Sequence, residues 1–185
     1  MSRVLVIYKS KYGTTKKYAE MLKGELESSS AGKEIICDIT EAEKFDRTVL
    51  GAYDTVIFAG AVYAGGISGI SMLKKNRDRL KGKRTAVFCV GVSPYDEKAL
   101  EEVKKRNLDS ELRDVPMFYG RGTWDESRMT FRDRIMCRML QKMVAKQSPE
   151  KCEPWMKELL SAVGKKCDWT DRKYLQPLCV YIRQE

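Results

Sequence analysis

Three short stretches of this chain are apolar almost without a break: residues 4–8 (VLVIY), 54–60 (DTVIFAG) and 84–92 (RTAVFCVGV). A strand with one wet face alternates apolar and polar residues. A run that does not alternate must be covered on both faces, which is the condition inside a parallel sheet. Parallel neighbours need long crossovers, and the sequence supplies helical segments for them. Over 14–28 the residues Tyr18, Met21, Leu22 and Leu26 recur at helical spacing, and 70–80 and 96–108 are also helix-compatible. Shorter strands are expected over 34–39 and 115–119. Strand and helix then alternate from the first strand to the fifth, which implies an α/β fold, a parallel sheet with helices on both faces. Beyond it, helices are expected over 129–146, 153–163 and 171–183, the last kinked or interrupted by Pro177.

Composition narrows the setting. A chain of 185 residues suits one ordinary domain, here carrying a basic helical segment at about 123–146 and a helical C-terminal extension. A mean hydropathy of −0.47 goes with a soluble protein. No apolar run approaches the ~20 residues of a bilayer span, and the run at 4–8 is too short for a signal-peptide core. The expectation is a cytoplasmic protein, extended by peripheral contact with the inner face of a membrane. The six cysteines form no CxxC pair, and the chain has no histidine. Zinc fingers and Cys/His or Ser/His catalysis lose their usual partners, so no metal is assigned.

The junction after the first strand reads Ser10, Lys11, Tyr12, Gly13, Thr14, Thr15. Where a strand turns into a helix, unpaired amides and the positive end of the helix dipole face outward, a ready anion site. The hydroxyls and amides of these six residues suit a dianionic phosphate, and Gly13 lets the backbone come close. An ordinary turn with a capping threonine accounts for the same residues equally well. The loop is neither GxxxxGK[ST] nor GxGxxG, which disfavours nucleoside triphosphatases and dinucleotide folds.

VLVIYKSKYGTTKKYAEML resembles the start of a flavodoxin, whose loop after the first strand runs Ser/Thr-x-Thr-Gly-x-Thr. Ser10, Gly13 and Thr15 match that frame, and Tyr12 departs from it. AYDTVIFAGAVYAGGIS and AVFCVGVSPYDEKA resemble the strands and loops on either side of the flavin in that family. Within the superfamily, MFYGRGTWDESRMTFRDRIMCRMLQKMV and CDWTD resemble the branch that includes menaquinone-dependent protoporphyrinogen dehydrogenase. The resemblance implies a flavodoxin-like doubly wound sheet of five strands in the order 2-1-3-4-5. Its ligand would sit at the carboxyl ends of the strands where the order reverses. It implies FMN, with its phosphate on the first loop. Ala61, Val62, Tyr63, Ala64 and Gly65 would flank one side of the ring. Gly91, Val92, Ser93, Pro94 and Tyr95 would offer backbone donors on the other, with Tyr63 and Tyr95 as stacking candidates. No side chain is assigned as a catalytic acid or base, because the cofactor carries the chemistry.

Function then divides. An FMN-binding oxidoreductase or electron-transfer protein leads, with a redox partner protein, a quinone or a porphyrinogen as its counterpart. The alternative is a non-catalytic interaction module of the same fold that has lost its flavin, which Tyr12 favours. The net charge of +9 suits an anionic cofactor, partner or membrane. Dispersed basic residues and the lack of a motif argue against nucleic acid. Arg128, Arg132, Arg134, Arg138, Lys142 and Lys146 accompany apolar residues in a basic amphipathic helix, read first as core-packed with a solvated basic face and second as a surface for anionic lipid or an acidic redox partner. Arg121 is read as a solvated charge. Trp124 is left between packing and a substrate mouth.

Overall fold

Each apolar strand divides its side chains between two cores. From the first strand Val4, Val6 and Tyr8 enter one, and Leu5 and Ile7 the other. From the third, Ile57 and Ala59 oppose Val56 and Phe58, and further along the sheet Phe88 and Val90 oppose Val87 and Cys89. This period of two with both faces apolar is why the runs do not alternate. The computed structural model describes residues 1–28, 34–63, 65–148, 150 and 152–184. Its order is β1 (Ser2–Lys9), α1 (Thr14–Glu27), β2 (Ile35–Glu41), β3 (Thr55–Tyr63), β4 (Gly66–Ile67), α2 (Ile70–Leu80), β5 (Arg84–Gly91), α3 (Glu97–Asn107), β6 (Met117–Arg121) and β7 (Thr123–Asp125). There follow α4 (Phe131–Ala145), α5 (Pro154–Ser161), β8 (Lys166–Asp168) and α6 (Gln176–Arg183).

The main sheet runs β2-β1-β3-β5-β6, with parallel pairing throughout that path. The two-residue β4 folds back on the end of β3. With β4 set aside, this is the expected order 2-1-3-4-5. Between β2 and β3 the expected helix is replaced by two 3₁₀ turns, Ala42–Lys44 and Arg47–Ala52, the second capped by Asp46, whose side chain accepts from Thr48 N at 2.9 Å. Leu50 alone in those turns is buried, too little apolar surface to hold a full helix.

The C-terminal third forms more structure than the periodicity suggests. β7 and β8 pair antiparallel, Trp124 opposite Cys167. They join α4 and α5 around a third cluster of Trp124, Val144, Leu159 and Ala162. Pro177 does not interrupt a helix. A 3₁₀ turn, Arg172–Leu175, precedes it, and Pro177 lies in the first turn of α6, where a missing N–H costs no hydrogen bond. Leu178, Cys179 and Ile182 of α6 enter the same core as α1. At the far end Arg84 Nη1 donates to the carbonyls of Tyr181 (2.9 Å) and Ile182 (3.1 Å), satisfying acceptors a helix end leaves open. Cys37, Cys89 and Cys179 are buried, and burial pushes the Cys37 thiol up to about 12. Among the described residues no helix is long and apolar enough to cross a membrane.

Because Leu178 is wholly buried between α6 and the sheet while Val180 faces solvent, Leu178→Ala is expected to cost about 2–5 kcal/mol of unfolding free energy. Val180→Ala should stay within about 0.5 kcal/mol. Urea titration of the two variants reads the difference directly.

Candidate functional site

The turn from β1 into α1 is built on Gly13, whose φ of 92° is left-handed backbone that glycine adopts at little cost. Ser10 Oγ accepts from Gly13 N at 3.1 Å and closes the turn. The first helical bond runs from Lys17 N to the Gly13 carbonyl at 2.9 Å. Among the described residues no side chain caps α1, and its first turn carries no acid. The amides of residues 14–16 precede that first bond and stand at the positive end of the helix dipole. Thr15 is buried beneath them. Thr14 Oγ1 lies 2.7 Å from Thr123 Oγ1, which ties this turn to β7.

The second expected loop is partly strand. Ala61, Val62 and Tyr63 continue β3, because Gly66 and Ile67 pair back onto Tyr63 and Val62. Ala64 lies outside the described residues. Asn107, at the end of α3, holds the hairpin from behind. Its Nδ2 donates to the Gly65 carbonyl at 2.7 Å, and its Oδ1 accepts from Ile67 N at 2.9 Å. The Ala61 carbonyl accepts from Ser68 N at 2.9 Å. Two of the carbonyls that could have met a ligand in this hairpin are therefore taken.

The third loop is tied back in the same way. The Gly91 carbonyl accepts from Gly122 N (2.7 Å), that of Val92 from Arg121 Nε (2.9 Å) and that of Ser93 from the Tyr119 hydroxyl (2.6 Å). With three successive carbonyls occupied, what Val92 and Ser93 can still offer is N–H; Pro94 has none. Gly122 is where the walls meet. A Cβ there would lie 3.0 Å from Val90 Cγ1 and 3.4 Å from both Gly91 O and Thr14 Cγ2. Of the stacking candidates, Tyr95 stands largely exposed at the rim and Tyr63 partly so.

Arg121 is not a solvated charge. Its side chain is only 13% exposed, pairs with Glu158 at 3.0 Å and lies over the Trp169 ring at 4.0 Å. The reason is position: leaving β6, it is wedged between the 91–95 loop and α5. Trp124 is buried and packs in the third cluster, so it lines no mouth.

One residue that the sequence reading passed over dominates the rim. Asp133, in the first turn of α4 and buried, accepts from Lys11 Nζ at 2.5 Å and from the Tyr12 hydroxyl, with Tyr63 as a third contact. These partners, Lys11 first, hold its carboxyl down to about 2, and the same contact raises the Lys11 amine. Burial, with the Asp133 carboxylate beside it, pushes the Tyr63 hydroxyl up. Thr130 caps α4, its Oγ1 accepting from Asp133 N at 3.3 Å, and its own N–H donates to Tyr12 Oη at 3.1 Å. The side chains of Lys11 and Tyr12 thus turn to α4, while Ser10, Gly13, Thr14 and Thr15 shape the helix mouth. The signal for this was present: Thr130-x-x-Asp133 is a capping pattern at the head of an apolar-periodic run.

The chain resembles known proteins along most of its length. A family model described as a flavodoxin domain matches residues 5–151. An oxidoreductase from Corynebacterium diphtheriae is similar in structure, with a TM-score of 0.51 at 17% identity over 64% of this chain and 81% of that one. The two-electron reduced flavodoxin of Megasphaera elsdenii gives 0.48 at 16% identity over 63% and 82%. The Fusobacterium nucleatum flavodoxin bound to flavin mononucleotide gives 0.37 at 13% identity over 49% and 53%. Of these, the Corynebacterium protein speaks to the fold, and at 17% identity to the fold alone. No functionally curated protein matches the chain.

The Asp133 contact predicts an acid-sensitive share of stability. Its folded carboxyl titrates below the ordinary 3.8, so the stabilisation is fully present above that value and is lost as pH falls through about 2. Wild type should therefore exceed Asp133→Asn in unfolding free energy at neutral pH, with the gap closing across that window. Denaturant titrations at a series of pH values measure it, and an unchanged gap at the acid end would contradict the assignment.

Proposed function

We propose that this chain, which belongs to the flavodoxin domain family, holds one FMN at the carboxyl ends of β1, β3 and β5 and passes electrons through it. The observation that carries the reading is the meeting of an uncapped helix N-terminus with two glycine-bearing turns at one end of the sheet. In the order β2-β1-β3-β5-β6 the strand order reverses between β1 and β3, where ligands of such sheets sit.

The residues present fit the group. Gly13 and the amides of 14–16 offer N–H donors, and the first turn of α1 carries no acid to repel a phosphate dianion. Ser10 Oγ accepts within its own turn and still has its O–H to donate. The Asp133 charge is taken up by Lys11 and Tyr12 rather than by the α1 amides. The N–H groups of Val92 and Ser93 suit the pyrimidine oxygens of the ring. Tyr63 and Tyr95 are the side chains available to cover it. FMN, when bound, supplies one- and two-electron redox chemistry, and the chain contributes placement and electrostatics.

For the counterpart we favour an oxidoreductase acting on a porphyrinogen or a quinone over an electron carrier. The support is the +9 charge, which suits an anionic substrate, and the resemblance of residues 117–144 and 167–171 to the protoporphyrinogen dehydrogenase branch. A second reading, a module without flavin, is favoured by Tyr12 in the first loop and by Asp133, which sets an anion beside the loop meant for a phosphate.

A visible spectrum of the purified protein separates the two readings. Yellow flavin bands, with FMN released on denaturation, support the first. Colourless protein that takes up no added FMN supports the second. Thr15→Ala is expected to weaken FMN binding by about 1–2 kcal/mol, one charge-assisted hydrogen bond; fluorescence titration reads it. Anaerobic turnover of protoporphyrinogen with menaquinone then tests the enzyme against the carrier.

A further inference from the structure

The outward face of α4 fits neither a core face nor a solvated one. Phe131, Ile135, Met139 and Met143 recur every fourth residue and so share one side of the helix. All four are exposed, Phe131 at 75% and the two methionines at 63%. The stripe runs for ~18 Å at 1.5 Å per residue. The inward side is complete without it: Asp133, Gln141 and Val144 are buried there, with Cys137 and Leu140 half-buried beside them. The reading of α4 as core-packed with a solvated basic face therefore holds for its inner side only, because the outer side is apolar as well as basic.

The charges on that outer face all have one sign. Arg132, Arg138, Lys142 and Lys146 are exposed and lie around the stripe, and among the described residues none of them forms an ion pair. The acid that α4 carries, Asp133, is turned inward onto Lys11. A row of bulky apolar groups set among long, unpaired cations is the pattern of a helix lying in the surface of an anionic bilayer. There the apolar groups reach the acyl boundary while the arginine and lysine stems snorkel to the headgroups. A second copy of the chain fits poorly, because a two-fold contact would bring the same cations together.

We propose that α4 docks this protein on an anionic phospholipid surface, with Phe131, Ile135, Met139 and Met143 inserted at the acyl boundary and the flanking cations on the headgroups. The inference stands on α4 alone and does not depend on the flavin. Since the first turn of α4 is bound to Lys11 and Tyr12, docking sets the crevice mouth beside the lipid.

Flotation of the full chain with phosphatidylcholine vesicles, with and without phosphatidylglycerol, tests this. The expected result is co-flotation only with the anionic vesicles, strong in low salt and weakened in high salt. Phe131→Ser combined with Met139→Ser should lower the partition coefficient roughly tenfold, from loss of buried apolar area. Arg132→Gln and Lys142→Gln should each lower it about fivefold. All four positions are exposed, so the variants keep the wild-type melting curve and flavin content. That keeps a failure here distinct from a failure of the flavin reading. Three outcomes would overturn the proposal: no flotation in low salt; vesicle binding that the Phe131/Met139 variant leaves untouched, meaning a charge effect without insertion; or sedimentation velocity showing a dimer that this variant splits, meaning that a second copy covers the face.

Discussion

Burial on both faces of β1, β3 and β5 is the constraint from which the rest of the molecule follows. Val4 and Leu5, Ile57 and Phe58, Phe88 and Cys89 point into opposite cores, so neither face of the central sheet has room for a polar group without a partner. Chemistry is pushed to the ends of the strands. At the carboxyl end the chain must leave β1, β3 and β5 within a few residues. It does so through Gly13, through the hairpin at Gly65 and Gly66, and through Gly91. The crevice is what remains between three turns forced to diverge from adjacent strands, and α1 starts at its edge because β1 needs a crossover to its parallel neighbour.

What keeps those turns in place lies behind them. Asn107 reaches from α3 to clamp the β3–β4 hairpin, and Tyr119 and Arg121 hold the carbonyls of Ser93 and Val92. Arg121 is in turn fixed by Glu158 and Trp169, and its own carbonyl accepts from the Tyr18 hydroxyl at 2.6 Å. Burial pushes that hydroxyl up to about 12, so it stays protonated and able to donate. The same Tyr18 oxygen accepts from Asp171 N at 3.2 Å. Asp133 and Thr123 aside, the C-terminal third serves the crevice from behind: β7, β8 and α5 brace β6, and α6 closes the core under α1. Loops set this way are pre-organised, which spares a ligand the cost of ordering them.

The sheet was legible because two-sided burial leaves a one-dimensional trace, an apolar run without alternation, and because α1, α2 and α3 keep their period. The strand order came through the resemblance of the loops, as did the ring-side residues 61–65 and 91–95, whereas residues 10–15 were marked by the strand-to-helix junction itself. What escaped notice depends on partners distant in sequence. β7 and β8 are three residues each, and nothing local marks them as a pair 43 positions apart. Arg121 looks like any surface arginine until Glu158 and Trp169 fold over it. Pro177 was read as a break by the rule for helix interiors, whereas at a helix start the same ring is favourable. Asp133 is the instructive miss. Its capping partner Thr130 is written three residues away, but Lys11 and Tyr12 lie more than a hundred residues upstream, and only the fold brings them to its carboxylate.

That carboxylate also fixes how the crevice and α4 relate. A helix with its one acid turned inward and its cations other than Arg134 turned outward is asymmetric in a way that propensity does not require; an exposed aspartate at that position would serve the helix dipole equally well. Turned inward, Asp133 bonds the loop proposed to receive a phosphate, so an anion arriving at α1 competes for the electrostatic influence of Lys11. The loop and the first turn of α4 are thereby tied through one buried charge, so the shape of the crevice rim and the seating of α4 on the domain are set by the same contact.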